Sequence, residues 1–143
     1  MTSPFTQIPE SEWVAANELA FAIFDAYPVT EGHTLVIPRR EVATWFEATE
    51  EERRALMDLV DDLKPILDER FQPDGYNVGI NIGRAAGQTV MHLHVHLIPR
   101  YRGDVEDPRG GVRYVIPHKA NYLADADEEQ LSPERPSGRR KRD

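Results

Sequence analysis

The 143-residue chain has no cysteine. That rules out disulfide staples and thiol nucleophiles, and it fits a reducing compartment. Residues 1 to 30 lack a basic start followed by an apolar run and a small-residue cleavage site. No apolar segment approaches the roughly 18 residues that a membrane span requires. The expectation is a cytoplasmic protein with no membrane attachment. Positive charge is also scarce, with 17 Lys and Arg against 25 Asp and Glu, a formal charge of −8. Without a basic excess there are few counterions to release from a phosphate backbone, which argues against broad nucleic-acid binding. A small phosphorylated substrate needs only local donors, and Arg84, Arg100 and Arg102 flank a histidine-rich stretch at 88–98. The length suits one domain that buries its own core.

That stretch is Gln88-Thr89-Val90-Met91-His92-Leu93-His94-Val95-His96-Leu97-Ile98, which holds three of the chain's five histidines. On a β-strand, alternate side chains point to opposite faces. One face then carries His92, His94 and His96, and the other carries Met91, Leu93, Val95 and Leu97, as a strand packed on a core requires. On a helix the same three imidazoles would spread around the surface, so the spacing has chemical meaning only in a strand. Two chemistries fit: metal ligation by alternate histidines, or an imidazole nucleophile with its neighbours as donors and orienters. The outer two histidines would sit about 13 Å apart along a straight strand, wide for one ion with bonds near ~2.1 Å. The preceding Arg84-Ala85-Ala86-Gly87-Gln88-Thr89 offers a small-residue turn, an amide and a hydroxyl, groups better suited to phosphate oxygens than to a metal.

Residues 1 to 11 read as an irregular lead-in. Leu19 to Phe24 is a strand candidate, with Asn17-Glu18 as a turn separating it from a shorter strand. Pro28 to Gly32 breaks the chain before a second strand, His33 to Ile37. Thr49 with Glu52 forms a capping box that opens a helix, and Leu56, Leu59, Val60, Leu63, Ile66 and Leu67 give it one apolar stripe. Pro65 within that stripe predicts a kink or an early end. Tyr76, Val78, Ile80 and Ile82 alternate with Asn77, Gly79 and Asn81, a two-faced strand. Its six-residue link to the histidine strand is too short for a crossover, so the pair must be antiparallel. The histidines then share a face with the asparagines and the glycine. Residues 104 to 123 form a polar loop with one short apolar run, Val112 to Ile116. The segment 124–143 is acidic, then rich in Pro and Ser, then basic at Gly138-Arg139-Arg140-Lys141-Arg142, a composition that predicts a disordered charged tail. The fold class is α+β: an antiparallel sheet of about five strands, with one long helix on one face and the site on the other.

The run His92-Leu93-His94-Val95-His96-Leu97-Ile98 resembles the signature of the histidine triad family. Ala86-Gly87-Gln88-Thr89 before it and Pro99-Arg100 after it resemble the fragile-histidine-triad branch, whose members hydrolyse dinucleoside polyphosphates. The segment from Phe24 through Asp25 and His33 to Pro38 is similar to the family's other recurrent block. The resemblance covers about residues 12 to 103 of a catalytic domain placed at 12–123, and it implies a homodimer joined through a continuous sheet. It also implies roles. His94 attacks the α-phosphorus and forms a covalent nucleotidyl-histidine that water cleaves, while His96 donates to the phosphoryl or leaving oxygen. His92 fixes the tautomer and orientation of His94, and Gln88 and Thr89 bind phosphate oxygens with help from backbone donors near Gly87. Asp25 holds the ribose hydroxyls, His33 supports the triad from behind, and Asn81 faces the ligand. Phe21 and Ile23 share the strand parity of Asp25 and are candidates for the wall of a base pocket. No metal or other cofactor is required at the nucleophile, although the substrate can arrive as a magnesium complex. Thr89 stands where phosphoramidate-cleaving branches carry serine, and Pro99-Arg100 where they carry glycines. His96 stands where the sugar-phosphate nucleotidyltransferases carry glutamine. These departures favour a hydrolase of dinucleoside polyphosphates over a phosphoramidate hydrolase or a nucleotidyltransferase, and the intact triad favours it over a nucleotide-binding regulatory module with little turnover.

Overall fold

The structure, a computed structural model, describes residues 2–124, so the tail expected from 124 onward lies outside the described residues except for Ala124. Contacts divide the chain into two units, one ending at Arg102 and the other starting at Gly103. In the first, β1 (Ala15–Ala16), β2 (Ala20–Phe24), β3 (Thr34–Pro38), β4 (Gly75–Gly79) and β5 (Val95–Arg100) form one antiparallel sheet in the order β1-β2-β3-β5-β4. A single long helix, α1 (Glu50–Phe71), packs against one face of it. This is the α+β arrangement that the alternation and the capping signals predict. Asn17 makes the β1–β2 turn: its side-chain oxygen accepts from the N–H groups of Leu19 and Ala20.

Pairing separates the sheet into two chemically distinct faces. Ala22 lies opposite Val36, and Val36 opposite Val95. These residues, with Ala20 and Leu97, meet Leu56, Leu59, Leu63 and Leu67 of α1 in one buried cluster. The alanines of β2 let the helix approach closely. The opposite parity brings Phe21 against Ile37, Ile23 against Leu35, Leu35 against His96, and His96 against Gly79. The histidine face and the helix face are thus set by a single register, and a one-residue slip would exchange them.

The capping box at the start of α1 is closed in both directions. Thr49 Oγ1 accepts from the Glu52 N–H at 3.0 Å, and Glu52 Oε1 accepts from the Thr49 N–H at 2.9 Å. Glu52 also receives Arg40 on both carboxylate oxygens, at 2.8 and 2.9 Å. The Arg40 bond is the main reason its carboxyl is lowered to about 2. The helix does not end at Pro65 but runs on to Phe71. Pro65 lies on the exposed side, where water can take the carbonyl bond that its missing N–H leaves open. Gly32 shapes the turn into β3. Its φ is +88°, and a Cβ there would come within 2.8 Å of the Phe71 ring, so any larger residue would disturb the approach to His33.

The second unit, as far as it is described, is built from short 3-10 turns at Gly111–Val115 and Pro117–Lys119. Arg113 donates to the carbonyls of Ala120 and Lys119, and Asp107 accepts from Arg109 and Asn121.

Glu52→Ala is expected to cost about 1–3 kcal/mol at neutral pH, the low end reflecting the exposure of Arg40. The folded carboxyl titrates at about 2 against an ordinary value of 4.5. Its contribution is therefore present above the unfolded value and disappears as the pH falls through the folded one. Urea unfolding of both proteins at neutral pH and near pH 2 measures this; midpoints that coincide at neutral pH would show that Glu52 does not hold the start of the helix.

Candidate active site

β5 begins only at Val95, so of the three alternating histidines His96 alone lies within the regular strand. His92 and His94 precede it, in backbone that the sheet ladder does not fix. Their ring environments differ accordingly. His92 has 0% exposure. Its Nε2 lies 2.8 Å from the Pro38 carbonyl and its Nδ1 2.7 Å from Ser3 Oγ. A carbonyl can only accept, so Nε2 carries the proton and Nδ1 accepts from the serine hydroxyl. Both nitrogens of the His92 imidazole are occupied by protein partners.

His94 is half-buried, and its Nδ1 lies 2.8 Å from the carbonyl of His92. Nδ1 must again be the donor, so the lone pair of the neutral ring is on Nε2. The group that sets this tautomer is the main-chain carbonyl of His92, not its imidazole. The edge of Phe5 packs on one side of the His94 ring (centroids 5.2 Å, 73°) and His96 on another (5.1 Å, 63°).

The tautomer of His96 is set from farther back. The Val29 N–H donates to His33 Nδ1 at 3.1 Å, which leaves the proton of neutral His33 on Nε2. That Nε2 lies 3.0 Å from His96 Nδ1 and 3.4 Å from Asp25 Oδ2. His96 Nδ1 is then the acceptor, and His96 presents N–H at Nε2. A free lone pair on His94 and an N–H on His96 stand side by side, which is the pairing that attack on a phosphoryl group requires. Burial, followed by the neighbouring His94 and His33, lowers His96 to about 4, opposed by Asp25. Burial also holds His33 and His92 below the ordinary histidine value.

Among the described residues, Asp25, His33 and His96 also bring their ligand atoms within 4.8 Å of one another. This is not the set of three alternating histidines that the sequence pattern puts forward. The Val29 bond works against ligation here, because it fixes the His33 proton on the Nε2 that a metal would need unprotonated.

The remaining expected residues divide between the site and its supports. Asp25 is half-buried, and its Oδ1 accepts from the Tyr27 N–H at 2.9 Å. His33 is buried and backs His96 instead of facing the substrate. Asn81 lies two residues beyond β4 with the parity of Gly79 and is half-buried. Gly87, at φ 97°, and Thr89 are exposed in the loop before the histidines. Gln88 does not offer its amide to a phosphate. Its Nε2 donates to the carbonyls of Ala43 (2.7 Å) and Val90 (3.0 Å), and its Oε1 accepts from the Gly83 N–H (2.9 Å). It braces the loop. Phe21 and Ile23 are only 3% and 6% exposed. Trp13 stacks on Phe21 at 4.5 Å, and Phe5 joins the same cluster. They form a floor beneath the N-terminal segment, and Phe5 and Trp13 are the residues above it.

Ser3, Phe5 and the carbonyls of His92 and Pro38 were not legible as site groups. Ser3-Pro4 does carry a local signal, a capping serine before proline at the first turn position. Nothing in that signal points 89 positions along the chain to His92.

Residues 6–103 match the family model described as HIT domain, and the chain belongs to that family. It is 37% identical over 107 residues to a protein of Mycobacterium tuberculosis named AP-4-A phosphorylase, a match covering 71% of this chain and 55% of that one. It is 39% identical over 100 residues to the bis(5'-adenosyl)-triphosphatase of Dictyostelium discoideum, covering 70% and 67%. The chain thus spans little more than half of one curated relative and two thirds of the other. The crystal structure of a HIT family member from Bacillus subtilis superposes with a TM-score of 0.67 at 28% identity, covering 96% of this chain and all of that one. Among the described residues no helix is long and apolar enough to cross a membrane.

His33, His92 and His96 all have folded values below the ordinary 6.5. As the pH falls below that value the unfolded chain takes up protons that the folded one does not. Stability is therefore complete above the unfolded value and is lost as the pH drops towards about 4, where folded His96 titrates. Urea unfolding at constant ionic strength between about pH 7.5 and about pH 4.5 is expected to show this fall, shallower in His96→Asn. A flat profile in the unmodified protein would mean that these rings are not held neutral.

Proposed function

We propose that the protein cleaves dinucleoside polyphosphates at the α-phosphate through a nucleotidyl-histidine intermediate. The observation that carries this reading is the fixed pairing of the His94 Nε2 lone pair with the His96 Nε2–H. His94 Nε2 forms the bond to phosphorus, and the bridging P–O bond breaks with its electron pair leaving on the departing nucleoside polyphosphate. The ring becomes a cation, and its Nδ1–H···O=C contact with His92 stabilises that charge. His96, neutral well below physiological pH, acts as a hydrogen-bond donor to the phosphoryl oxygen. Water then forms the new P–O bond, the N–P bond breaks, the lone pair returns to His94, and the water proton leaves to solvent or to a phosphate oxygen. Asp25 receives the ribose hydroxyls, and Thr89 with backbone donors near Gly87 serves the phosphate. Asn81 lies on the ligand side. The base meets the apolar surface around Phe5 and Trp13, whose buried indole N–H has no partner among the described residues. These roles use no metal at the nucleophile. β4, an edge strand, is available for the continuous-sheet homodimer that the family resemblance implies.

A second acceptor is favoured by one relative. The M. tuberculosis protein is named a phosphorylase, and inorganic phosphate in place of water in the second step would give a nucleoside diphosphate. Product analysis with diadenosine tetraphosphate, with and without phosphate, separates the two routes.

His94→Ala should lower turnover by about 10⁴-fold or more while nucleotide binding persists, since the other contacts come from elsewhere. His94→Gly with added imidazole should recover part of the rate. Mass spectrometry of the unmodified enzyme should find an acid-labile nucleoside monophosphate adduct on His94. An active His94→Ala protein would overturn the assignment.

Asp25→Ala should cost roughly 1.5–3 kcal/mol in kcat/KM on ribonucleotides and far less on 2′,3′-dideoxy analogues. Equal losses on both would assign Asp25 to His33 and not to the ribose.

A further inference from the structure

We propose that Ser3 is a positioning residue for the nucleophile: its hydroxyl fastens the N-terminal turn to His92 and thereby holds the Phe5 ring against His94. The proposal rests on the reading of His94 as nucleophile. Ser3 is buried, and all of its polar groups but the N–H are used within a few ångströms. Its Oγ–H donates to His92 Nδ1 at 2.7 Å, and its Oγ accepts from the Phe5 N–H at 3.1 Å. Its carbonyl accepts from the Thr6 N–H at 3.1 Å and the Thr6 hydroxyl at 2.7 Å. The turn at Pro4–Gln7 is therefore built on Ser3 and anchored to the first triad histidine through the same side chain.

The anchor matters because the turn it secures carries Phe5. That ring lies 5.6 Å from His92 and 5.2 Å from His94, ring centre to ring centre. The last torsion of a histidine side chain is intrinsically broad, so one hydrogen bond at Nδ1 leaves the His94 ring free to swing. Phe5 and His96 on its flanks restrict that swing and keep Nε2 on one line of attack. Without the Ser3 hydroxyl, a buried His92 nitrogen and the Phe5 N–H both lose their partner. The available relief is for the turn to lift and admit water, which removes Phe5 from His94.

The test uses the full chain with Ser3→Ala and Ser3→Thr. It reads kcat and KM on diadenosine triphosphate, melting temperature, and the ring ¹⁵N spectrum of His94 without ligand. Ser3→Ala is expected to lower kcat by about 10- to 100-fold, the scale of a misplaced reacting group, with KM moving much less. Its His94 ring should depart from the single Nδ1–H tautomer. Ser3→Thr, which keeps the hydroxyl, should recover most of the rate and the spectrum. Ser3→Ala with kcat within about twofold of normal and an unchanged ring overturns the proposal. Equal losses in both variants also overturn it, because they mark a packing defect. If Ser3→Ala melts below the assay temperature, Phe5→Leu decides. It keeps the serine bond and the apolar plug but removes the aromatic edge, and an unaltered His94 ring there overturns the proposal. A wild-type protein that turns over no nucleotide refutes the proposed function, while the ring spectra still decide on the anchor.

Discussion

The contact on which the site depends is the 2.8 Å hydrogen bond from His94 Nδ1 to the carbonyl of His92. It decides which nitrogen of His94 carries a lone pair, and so on which side the neutral ring is basic. Within a regular strand a carbonyl is committed to the sheet ladder. The β3–β5 pairing involves only Val95 to Leu97 on β5, so the His92 carbonyl lies before the ladder and remains free for a side chain. The chain bends into the sheet with Leu93, whose N–H donates to the Val42 carbonyl at 2.7 Å. That bond and the burial of the His92 ring fix the peptide whose oxygen faces His94. The place of His94 just outside the strand is therefore what fixes its tautomer.

The range of each interaction decides how much of this is legible in the sequence. Alternation is local, and it correctly separated Leu93, Val95 and Leu97 from the histidines and put Gly79 on the histidine face. The capping box at Thr49 and Glu52 is also local, and it formed as its residues imply. The early end expected at Pro65 did not follow, because its cost depends on whether the freed carbonyl meets water or protein, which a sequence pattern does not contain. Gln88 misled for a related reason. An amide beside a glycine turn suits a phosphate, but it equally suits the carbonyls of Ala43 and Val90, and only the path of the loop decides. Ser3 and Phe5 read as lead-in because the residues that give them meaning come some 90 positions later.

The two faces of the sheet solve different problems with the same five strands. The helix face is dry and aliphatic, and it makes the sheet a rigid plate. The histidine face buries the His33 and His92 rings, which is tolerable because the nitrogens of both have matched partners. Val29 and Pro38, neither of which offers a reactive side chain, supply the backbone donor and acceptor that sort the protons on His33 and His92. The geometry that prepares the chemistry is thus held by main-chain atoms, which side-chain substitution cannot remove directly. Burying neutral histidines also ties the stability of this half of the fold to pH, so the prepared site and the folded state respond together to acid.

The low value of His96 has a consequence for the reaction itself. If His94 carries a phosphoryl group its ring is cationic, and the His96 ring centre lies only 5.1 Å away. A second positive charge at that distance would oppose the intermediate, because two like charges in a partly buried site are poorly screened. With His96 lowered to about 4, mainly by burial and then by its two histidine neighbours, the charge is absent at neutral pH while the N–H remains. His33 maintains this state: it donates to His96 Nδ1, so the one proton of neutral His96 must sit on Nε2. Asp25 lies 3.4 Å from His33 Nε2 and limits how far the values of His33 and His96 fall. A stronger carboxylate contact would bring His96 back towards a cation, and in the proposed reaction that charge would oppose the one His94 carries once it bears a phosphoryl group.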